Sequence, residues 1–142
     1  MNTWLHITYK IPRQPSARRV RIWRKLKRLG ALHLHESIWV LPNNNYTYEQ
    51  FQWLVVEIKD LGGEASLWEA KIALGLSNDE LKQKFLKQVN VEYEVLLKQL
   101  TDNTSNLVDL AKKYQQIKLV DYFHSPLERE VREQIKRKRG YD

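Results

Sequence analysis

Within its first 70 residues the hydrophobic period of this chain switches back and forth between two and about 3.6, which leaves few folds open. From Thr3 to Ile11, Leu5, Ile7, Tyr9 and Ile11 alternate with Trp4, His6, Thr8 and Lys10, the period of a strand, and Pro12 and Pro15 end it. Ser16 is placed to cap a helix from Ala17 to about Leu29, with Ile22, Trp23, Leu26 and Leu29 on one side and Gly30 as its stop. Two short antiparallel strands, 31–35 and 37–41, follow around His35-Glu36-Ser37. Thr47 with Gln50 predicts a capping box for a helix carrying Phe51, Leu54, Val55, Ile58 and Leu61, which Gly62-Gly63 terminates. Glu64 to Ala70 is the last strand. Strand, helix, strand, strand, helix, strand is the order of the ferredoxin-like split βαβ arrangement, an α+β fold with two helices over one face of a four-stranded antiparallel sheet.

The pattern then becomes purely helical. Ser77 with Glu80 reads as a capping box, and Leu81, Phe85, Val89, Tyr93, Leu96 and Leu100 recur at spacings of four and three. Asp102 to Ser105 breaks this helix; Leu107, Leu110, Ala111, Tyr114 and Ile117 mark a second, able to fold back on the first. Ser125-Pro126 with Glu128 opens a third, apolar through Leu127, Val131 and Ile135 and ending in Lys136-Arg137-Lys138-Arg139. The expected division is a ferredoxin-like domain over 1–75 and a helical hairpin plus basic C-terminal helix over 76–142.

Charge is distributed as unevenly as period. The chain has 24 basic and 17 acidic residues, and the first nine charged residues, Lys10 to Arg28, are all positive, so 15 cations face the 17 acids in the rest. A concentrated block of this kind can hold a polyanion by releasing its counterions. On the first helix Arg18, Arg21, Arg24, Lys25, Lys27 and Arg28 spread over the half opposite Ile22, Leu26 and Leu29, with no acid at i+4 to offset them. These six are the candidate phosphate contacts; with about six phosphates neutralised, log K would fall against log[salt] with a slope near −5. The plainer reading is a solvated, salt-screened helix face.

Arg19 differs, because its wheel position between Trp23 and Leu26 directs it to the apolar side. It is either a structural arginine, paired with Glu36, Glu57 or Asp60 or snorkelling to solvent along the apolar side, or an anion-binding one, since the planar fork suits oxyanions. His33 and His35 are expected to share a sheet face with His6, a spacing that two zinc ligands can use, though packing is the commoner fate of such residues. Of the five tryptophans, Trp23 and Trp53 are expected to pack from the helices onto the sheet, while Trp4 either stacks on a base or is buried.

Zero cysteines remove disulfides, thiolate metal sites and cysteine nucleophiles. No phosphate loop, nucleophile elbow or convincing ligand cluster is found, so no enzyme, cofactor or bound metal is expected. No run approaches the roughly 20 apolar residues of a membrane span, and Met1-Asn2-Thr3-Trp4 lacks the order of a signal peptide, so a cytoplasmic chain without membrane contact is expected.

Tyr9-Lys10-Ile11-Pro12, Pro15-Ser16-Ala17-Arg18-Arg19-Val20, Trp23 through Ala31, Trp39-Val40-Leu41-Pro42, Gln50 through Leu54 and Gly62-Gly63-Glu64-Ala65 resemble the N-terminal domain of the chromate-resistance regulator ChrB over about residues 3–72. The resemblance implies a chromate-responsive transcriptional regulator in which this domain contacts DNA and a separate C-terminal domain senses the oxyanion. Residues 77–142 look too short to be that sensor, so the expectation is a stand-alone regulator, a subunit served by a separate sensor protein, or a member with another role. More distantly, the first strand with its basic helix and the Trp39-Val40-Leu41-Pro42 strand also resemble the middle domain of phenylacetate-type repressors and the small CRISPR-associated adaptation nuclease, both ferredoxin-like and dimeric. The nuclease has a metal-binding aspartate at the end of its first strand, where this chain has Lys10; a cation there disfavours metal-dependent cleavage. The expectation is therefore a DNA-binding regulator, as a homodimer, with a non-catalytic dimerisation module as the alternative.

Overall fold

A computed structural model describes residues 3–102 and 106–140, and these fall into two compact units, Met1–Asn78 and Asp79–Asp142. The first contains β1 (Thr3–Lys10), α1 (Ser16–Arg28), β2 (Leu32–His35), β3 (Ile38–Pro42), α2 (Asn45–Asp60) and β4 (Glu64–Lys71). Its four strands form one antiparallel sheet in the order β2-β3-β1-β4, the ferredoxin-like topology. The alternation in β1 decides which residues are shared with the helices: Leu5 and Ile7 are fully buried, as are Ile22 and Leu26 of α1 and Phe51 and Ile58 of α2.

Local chemistry departs from the sequence expectations at several points. Ser16 does not cap α1; it is the first helical residue, Pro15 stands at the cap, and no side chain bonds to the exposed amides. The capping box of α2 is one turn earlier than expected. Asn44 Oδ1 accepts from the Thr47 amide at 2.9 Å and Thr47 Oγ1 accepts from the Asn44 amide at 3.0 Å, so Thr47 is the third helical residue and not the cap. The ladder pairs His33 with Trp39, itself opposite Ile7, but pairs His35 with Ile38, opposite Thr8; a bulge intervenes. The two imidazoles thus sit on opposite faces, because one extra residue reverses the alternation.

Gly63 follows α2 where the chain passes the end of β1. A Cβ there would lie 2.5 Å from the Lys10 carbonyl oxygen and 2.9 Å from Ile58 Cγ2, so only glycine permits this approach.

The second unit contains α3 (Asn78–Thr101), α4 (Leu107–Leu119) and α5 (Leu127–Lys138). Residues 103–105, most of the expected break, lie outside the described residues; Asn106 caps α4 by accepting from the Val108 amide at 2.8 Å. Val89, Tyr93, Leu96 and Leu100 of α3, Leu110, Tyr114 and Ile117 of α4, and Val131 and Ile135 of α5 form one core. Its two phenols are tied to carboxylates: Tyr93 donates to Asp121 Oδ2 at 3.0 Å and Tyr114 to Glu128 Oε2 at 2.8 Å.

Burial, then the neighbouring carboxylates, push the Tyr114 phenol up to about 12 and the Tyr93 phenol up as well. The folded-state pKa values exceed the unfolded value of about 10, so this stabilisation is complete below pH ~10 and is lost as pH rises through the folded values. In an alkaline titration, phenolate absorbance from these two rings is expected to appear together with loss of helical circular dichroism, and Tyr114→Phe should move that loss to higher pH. Complete tyrosine ionisation with unchanged helicity would contradict this.

Candidate functional site

Helix α1 carries the candidate residues because its sequence allows only a narrow buried stripe. Ile22 and Leu26 are fully buried, and cations occupy most of the remaining circumference. The helix has three basic residues in its last turn and no acid in its first.

On the flank toward α2, Arg21, Lys25 and Arg28 line a groove of about 610 Å³ together with Trp53, Val56 and Glu57. Glu57 Oε1 lies 3.0 Å from Arg21 Nη2 and 2.6 Å from Lys25 Nζ, and its other oxygen is buried without a hydrogen-bond partner. The expected absence of a counter-charge for the ridge is thus corrected: none lies on α1, but α2 supplies one. Because both cations remain substantially exposed, each pair contributes only about 0–1 kcal/mol, enough to orient the side chains toward Glu57.

Arg18 is half-buried and its Nη1 donates to the Leu61 carbonyl at 3.0 Å, placing a guanidinium at the electronegative end of α2. Its role as folded is a helix cap. Arg24, Lys27 and Arg28 are exposed and form no ion pair among the described residues; Lys27 Nζ lies 5.8 Å from the Trp23 ring centroid. Of the six candidates, three are hydrogen-bonded or ion-paired within the fold and three are exposed without an ion pair among the described residues.

Arg19 is exposed rather than directed into the core, which corrects the wheel reading. The apolar contact on α1 is too narrow to include its position, and the side chain lines a groove of about 940 Å³ with Tyr9, Lys10, Arg13 and Trp23. Neither Glu57 nor Asp60 lines that groove; Glu36 does, without forming an ion pair with Arg19 among the described residues. Burial raises the Tyr9 pKa, while a hydrogen bond from Trp39 and the charge of Arg19 oppose the rise, so Arg19 stands within electrostatic reach of the phenol.

The aromatic expectations divide. Trp23 and Trp53 do not pack onto the sheet: they are 50% and 63% exposed. Trp4 is buried, with Nε1 donating to Asn78 Oδ1 at 2.9 Å, so it offers no face to a base. His33 stacks on Trp39 at 4.4 Å between centroids, and its Nε2 is hydrogen-bonded to the Glu36 carbonyl. Burial lowers the His6 pKa. Among the described residues no group of three or more His, Cys, Asp or Glu could hold a metal ion, and no helix is long and apolar enough to cross a membrane.

Sequence reasoning overlooked Glu57 as the clasp of Arg21 and Lys25, because a helical wheel shows only neighbours on the same helix. It also overlooked the groove beside Tyr9; the period-four recurrence of Arg19 and Trp23, with Ser16 and Val20, is the signal that could have revealed it.

Comparison with known proteins accords with this architecture. Residues 19–139 match the family described as Protein ChrB, N-terminal, a region that runs through the helical unit as well as most of the sheet unit. Protein ChrB of Cupriavidus metallidurans is 26% identical over 106 residues, covering 75% of this chain and 32% of that relative, so the chain spans about a third of the relative's length. The matched region includes α1 from Arg19 onward, both halves of the α1–α2 groove, and all three C-terminal helices. With a match over most of its length, the chain belongs to the ChrB N-terminal family.

Proposed function

We propose that this chain is the DNA-contacting part of a regulator of chromate resistance, and that α1 meets the phosphate backbone. The observation that carries the reading is the exposure of Arg24, Lys27 and Arg28, three cations on one helix without a carboxylate partner among the described residues, Arg28 also lining the α1–α2 groove. Family membership supports the chromate-linked role through the resemblance stated above. Like charges at this spacing repel one another, and a phosphate chain relieves that repulsion while releasing condensed counterions.

The Glu57 clasp revises the expected salt dependence. Three free cations give a slope near −3 in log K against log[salt], since Arg18, Arg21 and Lys25 are already occupied. The sequence carries no helix-turn-helix signature, so the interface positions DNA more than it reads bases. Dimerisation, and cooperation with a separate sensor protein, are parts of the same proposal.

The experiment is a binding titration of wild type and Glu57→Gln on a labelled promoter duplex and on unrelated duplex. Removing the clasp frees Arg21 and Lys25, so affinity is expected to rise by about tenfold in low salt and the slope to steepen to about −4.5. A variant that binds more weakly than wild type, with its fold intact, would overturn the assignment of the ridge.

A second reading is favoured by the outer face of α2, where Trp53, Val56 and Tyr48 are all exposed. An apolar face of this kind suits a protein partner, with α1 merely keeping the chain soluble. Its mark is association, measured by light scattering, that persists in salt high enough to abolish retention on heparin.

A further inference from the structure

The groove on the other flank of α1 combines features that the ridge lacks. Around the helix, Ser16, Arg19, Val20 and Trp23 recur at spacings of three and four and face the groove, whereas Arg21, Lys25 and Arg28 face α2. The two surfaces share no residue. We propose that this groove binds a small ligand joining a planar ring to an oxyanion, of which a nucleoside monophosphate is the simplest form.

Three observations support it. First, the volume, about 940 Å³, is that of a small-molecule cleft, which typically spans about 300–1,000 Å³. Its shape depends on the close passage of Gly63 over the Lys10 carbonyl, since a side chain there would collide with the end of β1.

Second, Lys10, Arg13 and Arg19 line the groove and form no ion pair among the described residues, although Lys10 stands opposite Glu64 in the β1–β4 ladder. An arginine fork next to two further cations is a receptor for a phosphate-like group. The half-buried Tyr9 phenol adds a hydroxyl on the same wall.

Third, the Trp23 indole is half exposed, a large aromatic surface left against water at the edge of a cationic pocket. Stacking a flat ring on it removes that surface from solvent, and such stacking strengthens the binding of bases in nucleic-acid complexes by about tenfold or more.

The acids set the size of the ligand. Glu36 and Glu64 also line the groove, leaving an excess of one positive charge over its lining residues. A continuous phosphate chain would meet both carboxylates, whereas a single phosphate can sit among the cations with ribose hydroxyls or a ring amine donating to the acids. The groove therefore suits a free nucleotide better than a length of DNA, and this inference stands apart from the DNA reading of the ridge.

Isothermal titration of the full chain with AMP, adenosine and inorganic phosphate tests it. AMP is expected to bind at least about tenfold more tightly than either fragment. Arg19→Ala should reduce AMP to the affinity of adenosine, Trp23→Ala should reduce it to that of phosphate, and Arg24→Glu/Arg28→Glu should leave AMP binding unchanged. Both groove side chains are exposed, so these substitutions leave the core intact; circular dichroism verifies it. AMP binding no tighter than phosphate overturns the proposal. So does AMP binding that survives Arg19→Ala but is lost with Arg24 and Arg28, or a short oligonucleotide that displaces AMP and binds more tightly as it lengthens.

Discussion

Replacing Arg24 and Arg28 together by glutamate is expected to weaken binding to duplex DNA by about 100-fold at ~0.1 M salt, the largest functional effect the structure implies. The two residues lie one turn apart on α1, both exposed and without a carboxylate partner among the described residues, so reversal removes two phosphate contacts and adds two repulsions. The substitution should leave the fold almost untouched: both positions are exposed, and an acid one turn from Lys27 or Lys25 relieves like-charge repulsion by a few tenths of a kcal/mol. The slope of log K against log[salt] should collapse to about −1, the contribution of Lys27 alone. Anisotropy of a labelled duplex measures both quantities. Unaltered affinity in the charge-reversed protein, with its circular dichroism unchanged, is the contrary outcome.

The largest structural effect is expected at Gly63. A methyl group there would sit 2.5 Å from the Lys10 carbonyl oxygen, 2.9 Å from Ile58 Cγ2 and 3.1 Å from Ile11 Cγ1. The first contact is with backbone in a paired strand and the second with a fully buried side chain, so neither can yield by rotating away. Overpacking of this kind costs about 2–3 kcal/mol, which for a unit of this size lowers Tm by roughly 10–20 °C. Gly63→Ala should therefore unfold the sheet unit at markedly lower temperature. Because the same approach forms the wall of the groove beside Tyr9, any folded Gly63→Ala protein should also lose affinity for AMP. A Tm within about 2 °C of wild type would mean that the passage over β1 is looser than described.

The βαββαβ order was legible because it rests on period, and period survives any error in element ends: Leu5 and Ile7 are buried together in the structure as their alternation requires. What was not legible depends on partners remote in sequence. Nothing near Arg21 or Lys25 announces Glu57, since the pairing exists only once α1 and α2 lie side by side. His33 and His35 read as a pair because alternation was assumed to continue, and a bulge is invisible to a period of two. The α2 cap was misplaced because Thr47 can serve equally as the cap or as the third helical residue; Asn44 Oδ1, accepting from the Thr47 amide, decides it. Trp23 and Trp53 are expected to pack onto the sheet from their places on the two helices, Trp23 at the edge of the apolar side of its wheel. The helices have narrower buried stripes than a wheel drawn from composition suggests, so both rings remain at the surface, where a ligand or partner can use them.

The central claim is that α1 offers a short row of uncompensated cations to a polyanion. It is tested most directly by the affinity of the wild-type chain for duplex DNA across a salt series from about 50 to 200 mM. A straight line of slope near −3 is predicted, the value for three free cations and three engaged ones. Binding that is absent at the lowest salt, or that does not change with salt, would contradict it.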